Sequence, residues 1–206
     1  MIAAAVSDPA HQLWWLTARA AGVVALVLVT VSVGLGLAMA GRATRRPAWR
    51  AALLTAHEQT AIAGLVAIAT HGLALLGDRW LHPGVSGIAV PFALGYRRPF
   101  TGLGIVGAYL AALLGLSYYF RARIGARRWR AAHRLTLLVY LTGVVHALGS
   151  GTDVSAPWLR AFLVGTGVPI ALLLLHRLRA GRPAGAARRV RPGSPRPSIP
   201  SRRPAP

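Results

Sequence analysis

Four of the seven histidines in this 206-residue chain fall into two pairs of nearly equal spacing. His57 and His71 stand fourteen apart in HEQTAIAGLVAIATH, and His133 and His146 stand thirteen apart in HRLTLLVYLTGVVH. Both stretches are otherwise largely apolar. A neutral imidazole binds metals and changes charge near neutral pH, so placing one in such a setting is costly and marks a candidate for function. The rest of the inventory narrows the chemistry. With no Cys, the chain offers no disulfide, no CxxC redox pair and no thiolate-held zinc or iron–sulfur cluster. Only four Asp and Glu could add carboxylate ligands. Two imidazoles per site make a poor zinc centre, which draws three or four ligands from the protein. They suit an iron whose other four ligands come from a macrocycle, that is, a haem with two axial histidines. No CxxCH is present, which excludes covalent c-type attachment.

Helices must position these pairs. At a rise of about 1.5 Å per residue, the spacings are about 21 Å and about 19.5 Å along a helix axis. On two parallel helices His57 would share one level with His133, and His71 another with His146. At about 100° per residue, fourteen residues return to within about 40° of the same face, whereas thirteen leave His146 about 140° away from His133. Gly143 lies between the last two, and a bulge or kink there would bring them to one partner. The neighbours AAHEQTAIAGLVAIATHG and TGVVHALGSG are rich in Ala, Gly and Thr. Small residues leave room for a macrocycle, and they also let membrane helices pack closely.

Composition places those helices in a bilayer. The chain is 54% hydrophobic and 14% charged, with mean hydropathy +0.50, against about 25% charged residues in soluble domains. Five runs reach the roughly 20 apolar residues of a span: about Leu13–Ala40, Ala51–Leu76, Gly102–Phe120, Ala131–Leu148 and Trp158–Leu175. The expected fold is an all-α integral membrane bundle of five spans. An outer segment, 1–12, precedes a haem-binding domain over 13–176, and a tail follows over 177–206. The N-terminus MIAAAVSDPA lacks a basic n-region and does not read as a cleaved signal peptide.

The formal charge of +20 comes from 24 Arg with no Lys. Nineteen of these lie in GRATRRPAWR, in RARIGARRWRAAHR and after His176, alternating with poorer connections. That pattern predicts the N-terminus outside and the C-terminus in the cytoplasm of a multi-pass plasma-membrane protein. It speaks for topology rather than nucleic-acid binding. The Pro- and Arg-rich tail is expected to be disordered and to touch anionic lipid headgroups.

At the histidine pairs the sequence resembles the ferric reductase-like transmembrane domain family, which includes the membrane parts of NADPH oxidases and ferric-chelate reductases. The spacings of 14 and 13 carry the resemblance, with WRAAHRLTLLVY, HALGSGTD and TARAAGVVALVL around them, over about residues 13–176. It implies two non-covalent b-type haems, with His57 and His133 ligating the inner one and His71 and His146 the outer one. It further implies an oxidoreductase component that carries electrons across the membrane. The larger members have six spans and a cytosolic flavin and nicotinamide domain. Here five spans and a basic tail imply a separate flavoprotein reductase or a quinone as donor and an extracytoplasmic redox protein as acceptor. One alternative is direct reduction of a ferric chelate or oxygen, with Arg79, Arg97 and Arg98 of the outer loop receiving an anionic chelate. Another is a haem-free membrane scaffold.

Supporting residues follow from the same picture. Haem propionates are anions that want Arg. The candidates are Arg50, Arg130 and Arg134 at the inner level and Arg97, Arg98 and Arg160 at the outer one. Arg19 in span one also needs an anion, and a propionate is one candidate. Glu58, the only acid within a span, is a candidate to orient a ligand histidine or carry a proton. Asp78 and Asp153 read as solvated loop acids or as a cation or partner site. Trp14, Trp15, Trp80 and Trp158 read as one interfacial belt and Trp49 and Trp129 as the other. His11, His82 and His176 have no depth-matched partner and read as interfacial.

Overall fold

The computed structural model of the chain describes residues 9–40 and 46–180, with side chains over 12–40 and 46–179. Of the expected tail, residues 177–180 continue the last helix, while residues 181–206, the His11 side chain and most of the first basic connection lie outside the described residues. Every regular element among those described is helical. The order is α1 (Pro9–Ala40), α2 (Pro47–Leu75), α3 (Gly84–Ala89) and α4 (Arg98–Leu116). A 3₁₀ turn (Ser117–Phe120) leads to α5 (Arg121–Ile124), followed by α6 (Ala126–His133), α7 (Thr136–Ser150) and α8 (Pro157–Ala180). Five segments are long and apolar enough to cross a membrane: Gln12–Ala40, Pro47–Leu75, Arg98–Ile124, Ala126–Ser150 and Pro157–Arg179. Each of the five expected apolar runs coincides with one of these helical segments; the first two differ at their C-terminal ends by no more than one residue, and the third to fifth extend beyond the run at both ends.

Helix starts follow local chemistry. Pro47 and Pro157 open α2 and α8, where a missing N–H costs nothing and the fixed φ already suits a helix. Pro169 sits inside α8, a position that membrane helices tolerate because neighbours can satisfy the freed carbonyl.

Two antiparallel pairs make the bundle. α1 lies along α2, α4 lies along α7, and α1 also meets α7 and α8. The interior is thin. One cluster gathers Leu37, Tyr140 and Ile170, and a second gathers Ala111, Leu114 and Val139, with Val29 touching both. Large apolar side chains face outward, among them Val66, Leu113 and Leu172. In water such faces would be a liability, whereas in lipid they are the expected solvent contact. The chain is a multi-pass membrane protein in architecture.

The fourth span differs from expectation. It is not one helix distorted at Gly143 but two helices that meet at Arg134 and Leu135. Gly143 lies inside regular α7, with open space where a Cβ would be. Around the junction the N–H groups of Arg134, Leu135, Leu137 and Leu138 bond three residues back, to Ala131, Ala132, Arg134 and Leu135. Such tightened turns advance about 120° and 2.0 Å per residue instead of about 100° and 1.5 Å. Over about four residues the angular shortfall between His133 and His146 drops from about 140° to about 60°, and their axial separation grows from about 19.5 Å to about 21.5 Å. The thirteen-residue spacing thus matches the fourteen-residue spacing of α2 in both depth and direction.

Candidate paired-histidine centres

All four histidines come together in two pairs. The rings of His57 (α2) and His133 (the last residue of α6) have centroids 6.1 Å apart and planes at 87°. Those of His71 (α2) and His146 (α7) are also 6.1 Å apart, with planes at 75°. Two rings on two helices therefore face each other at each of two levels.

Three of the four rings are held through Nδ1 by a backbone carbonyl. His57 Nδ1 donates to Ser32 O at 2.8 Å, with Ser32 Oγ at 3.1 Å. His71 Nδ1 donates to Ala18 O at 2.7 Å. His146 Nδ1 donates to Phe100 O at 3.0 Å. A carbonyl can only accept, so each of these nitrogens carries the proton. The neutral ring then has its lone pair on Nε2, the form in which imidazole binds a metal. His133 is held differently. Its Nδ1 is buried with no hydrogen-bond partner among the described residues, and its ring stacks on Trp129, with centroids 4.8 Å apart and planes at 21°. Trp129 is fixed in turn by Nε1 donating to Ser117 Oγ at 3.1 Å.

Between His71 and His146 lies a cavity of ≈ 330 Å³, a size typical of small-molecule sites. Val29, Ile68, Ile105 and Val139 are among its apolar lining, and Arg19 and Asp153 line it too. Among the described residues no three or more His, Asp or Glu side chains converge.

The charged candidates are placed as follows. Arg19 already has an anion. Its Nε donates to Asp153 Oδ2 at 2.9 Å and its Nη2 to Asp153 Oδ1, and its guanidinium lies 5.3 Å from the Trp15 ring. Asp153 is therefore not a solvated loop acid. Its side chain is 13% exposed, and the bonds from Arg19 hold its carboxyl below the usual carboxylate range. Asp78 is not solvated either. It is 7% exposed and accepts from the N–H groups of Trp80 and Leu81, closing the turn after α2. Glu58 accepts from Tyr118 Oη at 3.2 Å and bonds no ligand histidine. Arg97 takes a left-handed backbone, φ 40°, before α4, and its Nη1 donates to Gly149 O at 2.8 Å. Arg50, Arg98, Arg130, Arg134 and Arg160 are exposed, as are His82 and His176.

The carbonyls of Ala18, Ser32 and Phe100 and the Trp129–His133 stack are additions to the sequence-derived site. Trp129 was visible one turn before His133. The carbonyls carry no side-chain signal. The chain matches no protein-family model, no curated protein and no solved structure in the comparisons made.

Proposed function

We propose that the protein is a two-haem b-type membrane cytochrome. His57 and His133 hold one haem and His71 and His146 the other, and electrons pass from a donor on the cytoplasmic side to an extracytoplasmic acceptor. One observation carries the reading: two histidine pairs, both with ring centroids 6.1 Å apart. Two imidazoles that each placed a ring nitrogen about 2.0–2.1 Å from a shared metal, with the centroid roughly 1.2 Å behind that nitrogen, would have centroids up to about 6.5 Å apart, close to the separation seen at both levels. The donor set agrees. Two neutral imidazoles per level suit an iron that draws its other four ligands from a macrocycle. Three rings present Nε2, and the one orphaned ring nitrogen belongs to the fourth.

When bound, haem supplies reversible one-electron chemistry. The chain's own residues do the rest. The carbonyls of Ala18, Ser32 and Phe100 fix ring orientation and make the imidazoles better donors. Trp129 walls His133. Val29, Ile68, Ile105 and Val139 give the second level an apolar lining, which excludes water. The distribution of Arg supports placing the His57 level on the cytoplasmic side and the His71 level outside. A flavoprotein or quinone as donor and a soluble redox protein as acceptor complete the path, in the plasma membrane.

The test is an absorption spectrum of the detergent-purified chain, oxidised and then dithionite-reduced, with haem quantified per chain. The expected result is a sharp low-spin b-type spectrum with about two haems, falling to about one in His57→Ala or in His71→Ala. A chain purified from haem-supplemented cells with no haem would reject the reading and leave a membrane scaffold.

A further inference from the structure

Three of the four histidines share one device that rests on two positions of a neighbouring helix. Ala18 O, Ser32 O and Phe100 O accept from His71, His57 and His146. Four residues after each acceptor stands a glycine: Gly22, Gly36 and Gly104. In an α-helix a side chain leans towards the N-terminus, over the turn before it. The residue at i+4 therefore covers the carbonyl of residue i. With glycine there, the carbonyl is uncovered, and its second lone pair can accept from outside the helix while the first holds the helical bond.

The histidine rings occupy the space that a side chain would take. A Cβ on Gly22 would stand 3.0 Å from His71 Nδ1, and one on Gly36 would stand 3.4 Å from His57 Cε1. A Cβ on Gly104 would overlap His146 Nδ1 outright. In α1 the device occurs twice, with Ala18/Gly22 and Ser32/Gly36 separated by fourteen residues. Because α1 runs antiparallel to α2, that repeat mirrors the spacing of His57 and His71. His133 has no such carbonyl, and it is the ring whose Nδ1 lacks a partner.

Glycine in a membrane helix often serves only to let helices approach. Within this chain other glycines separate the two roles. Gly34 in α1 and Gly143 in α7 have open space where a Cβ would be, and Gly107 in α4 would press on Thr142 Oγ1 rather than on a histidine.

We propose that Gly22, Gly36 and Gly104 are positioning residues: each bares the helix carbonyl four places before it, which fixes the Nδ1–H tautomer of one histidine and leaves Nε2 for haem iron. The proposal deepens the haem reading above and rests on it. The experiment compares glycine-to-alanine variants of the full chain in detergent. It reads haem per chain, the low-spin electron paramagnetic resonance spectrum and the ¹⁵N signals of labelled histidine. Gly104→Ala is expected to lower haem affinity at its level by about 10–100-fold, the usual cost of losing a partner of a metal-binding histidine. It is also expected to shift one imidazole Nδ1 signal. Gly22→Ala should lose less and Gly36→Ala least, and these milder variants decide the matter if Gly104→Ala fails to fold. Gly34→Ala should match wild type, and Gly107→Ala should disturb packing while keeping the wild-type histidine signals. A wild-type chain with two haems whose Gly104→Ala and Gly22→Ala variants behave like Gly107→Ala overturns the glycine roles alone. A wild-type chain that takes up no haem overturns the cytochrome reading, and this role with it.

Discussion

At the scale of the residue, His133 stands apart from its three counterparts. It has an aromatic wall where the others have a carbonyl, so the two levels are chemically unequal. A ring without an Nδ1 acceptor is a weaker donor and is held by packing alone. Replacing Trp129 by Ala should therefore cost about 0.5–1.5 kcal/mol of ring–ring contact and lower haem occupancy at the His57–His133 level by about two- to tenfold. Titration of the purified variant with haem checks this. Ser32→Ala should be mild by contrast. His57 Nδ1 keeps the Ser32 carbonyl at 2.8 Å, and only a hydroxyl contact worth about 0.5–1.5 kcal/mol is at stake. The same titration should show occupancy close to wild type. The four histidines were legible from spacing because imidazole in an apolar run has few uses. The carbonyls were not, since any helix residue owns one and only the register of two packed helices selects which is used. Asp78 and Asp153 misled for a related reason. A loop acid reads as solvated until the turn or the distant Arg that it serves is known.

At the scale of the element, the junction between α6 and α7 turns an awkward spacing into a workable one. Nothing in Arg134–Leu135 announces a break, since neither residue is Gly or Pro, whereas Gly143 attracts the eye because it lacks a Cβ. The tightened turns fall where Arg134 is exposed and where a helix can be overwound without disturbing the apolar packing of Val139 and Tyr140 below. A single Ala inserted between Leu135 and Thr136 should rotate His146 by about 100° and advance it by about 1.5 Å. The chain should still enter the membrane, because its five apolar runs are intact, yet lose one of two haems. Membrane fractionation and haem quantification of the insertion variant check both halves of that expectation. The spans themselves were readable from apolar length alone. Their ends were not, because Pro47, Pro157 and the short α5 extend the helices beyond the apolar runs.

At the scale of the whole molecule, the Arg19–Asp153 bond fastens α1 to the connection between α7 and α8. Asp153 titrates below the usual carboxylate range because Arg19 favours its charged form. A carboxyl depressed in the folded state contributes stability that is complete above its unfolded value of about 3.9 and is lost as pH falls through the lower folded value. The wild type should therefore hold this fastening throughout the neutral range and release it only in strong acid. Asp153→Asn should lack it at every pH. Hydrogen exchange of residues 149–156 should then be faster in the variant than in wild type at pH 7, and the two should converge only once the pH has fallen through the lowered value of Asp153 in the folded chain.

That fastening joins positions 134 residues apart in the chain. Ribosomes add about 5–20 residues per second, so roughly 7–27 seconds separate the synthesis of Arg19 from that of Asp153. Throughout that interval Arg19 is without the carboxylate that it pairs with in the folded chain. α1 thus gains this ion pair only once the connection between α7 and α8 has been made.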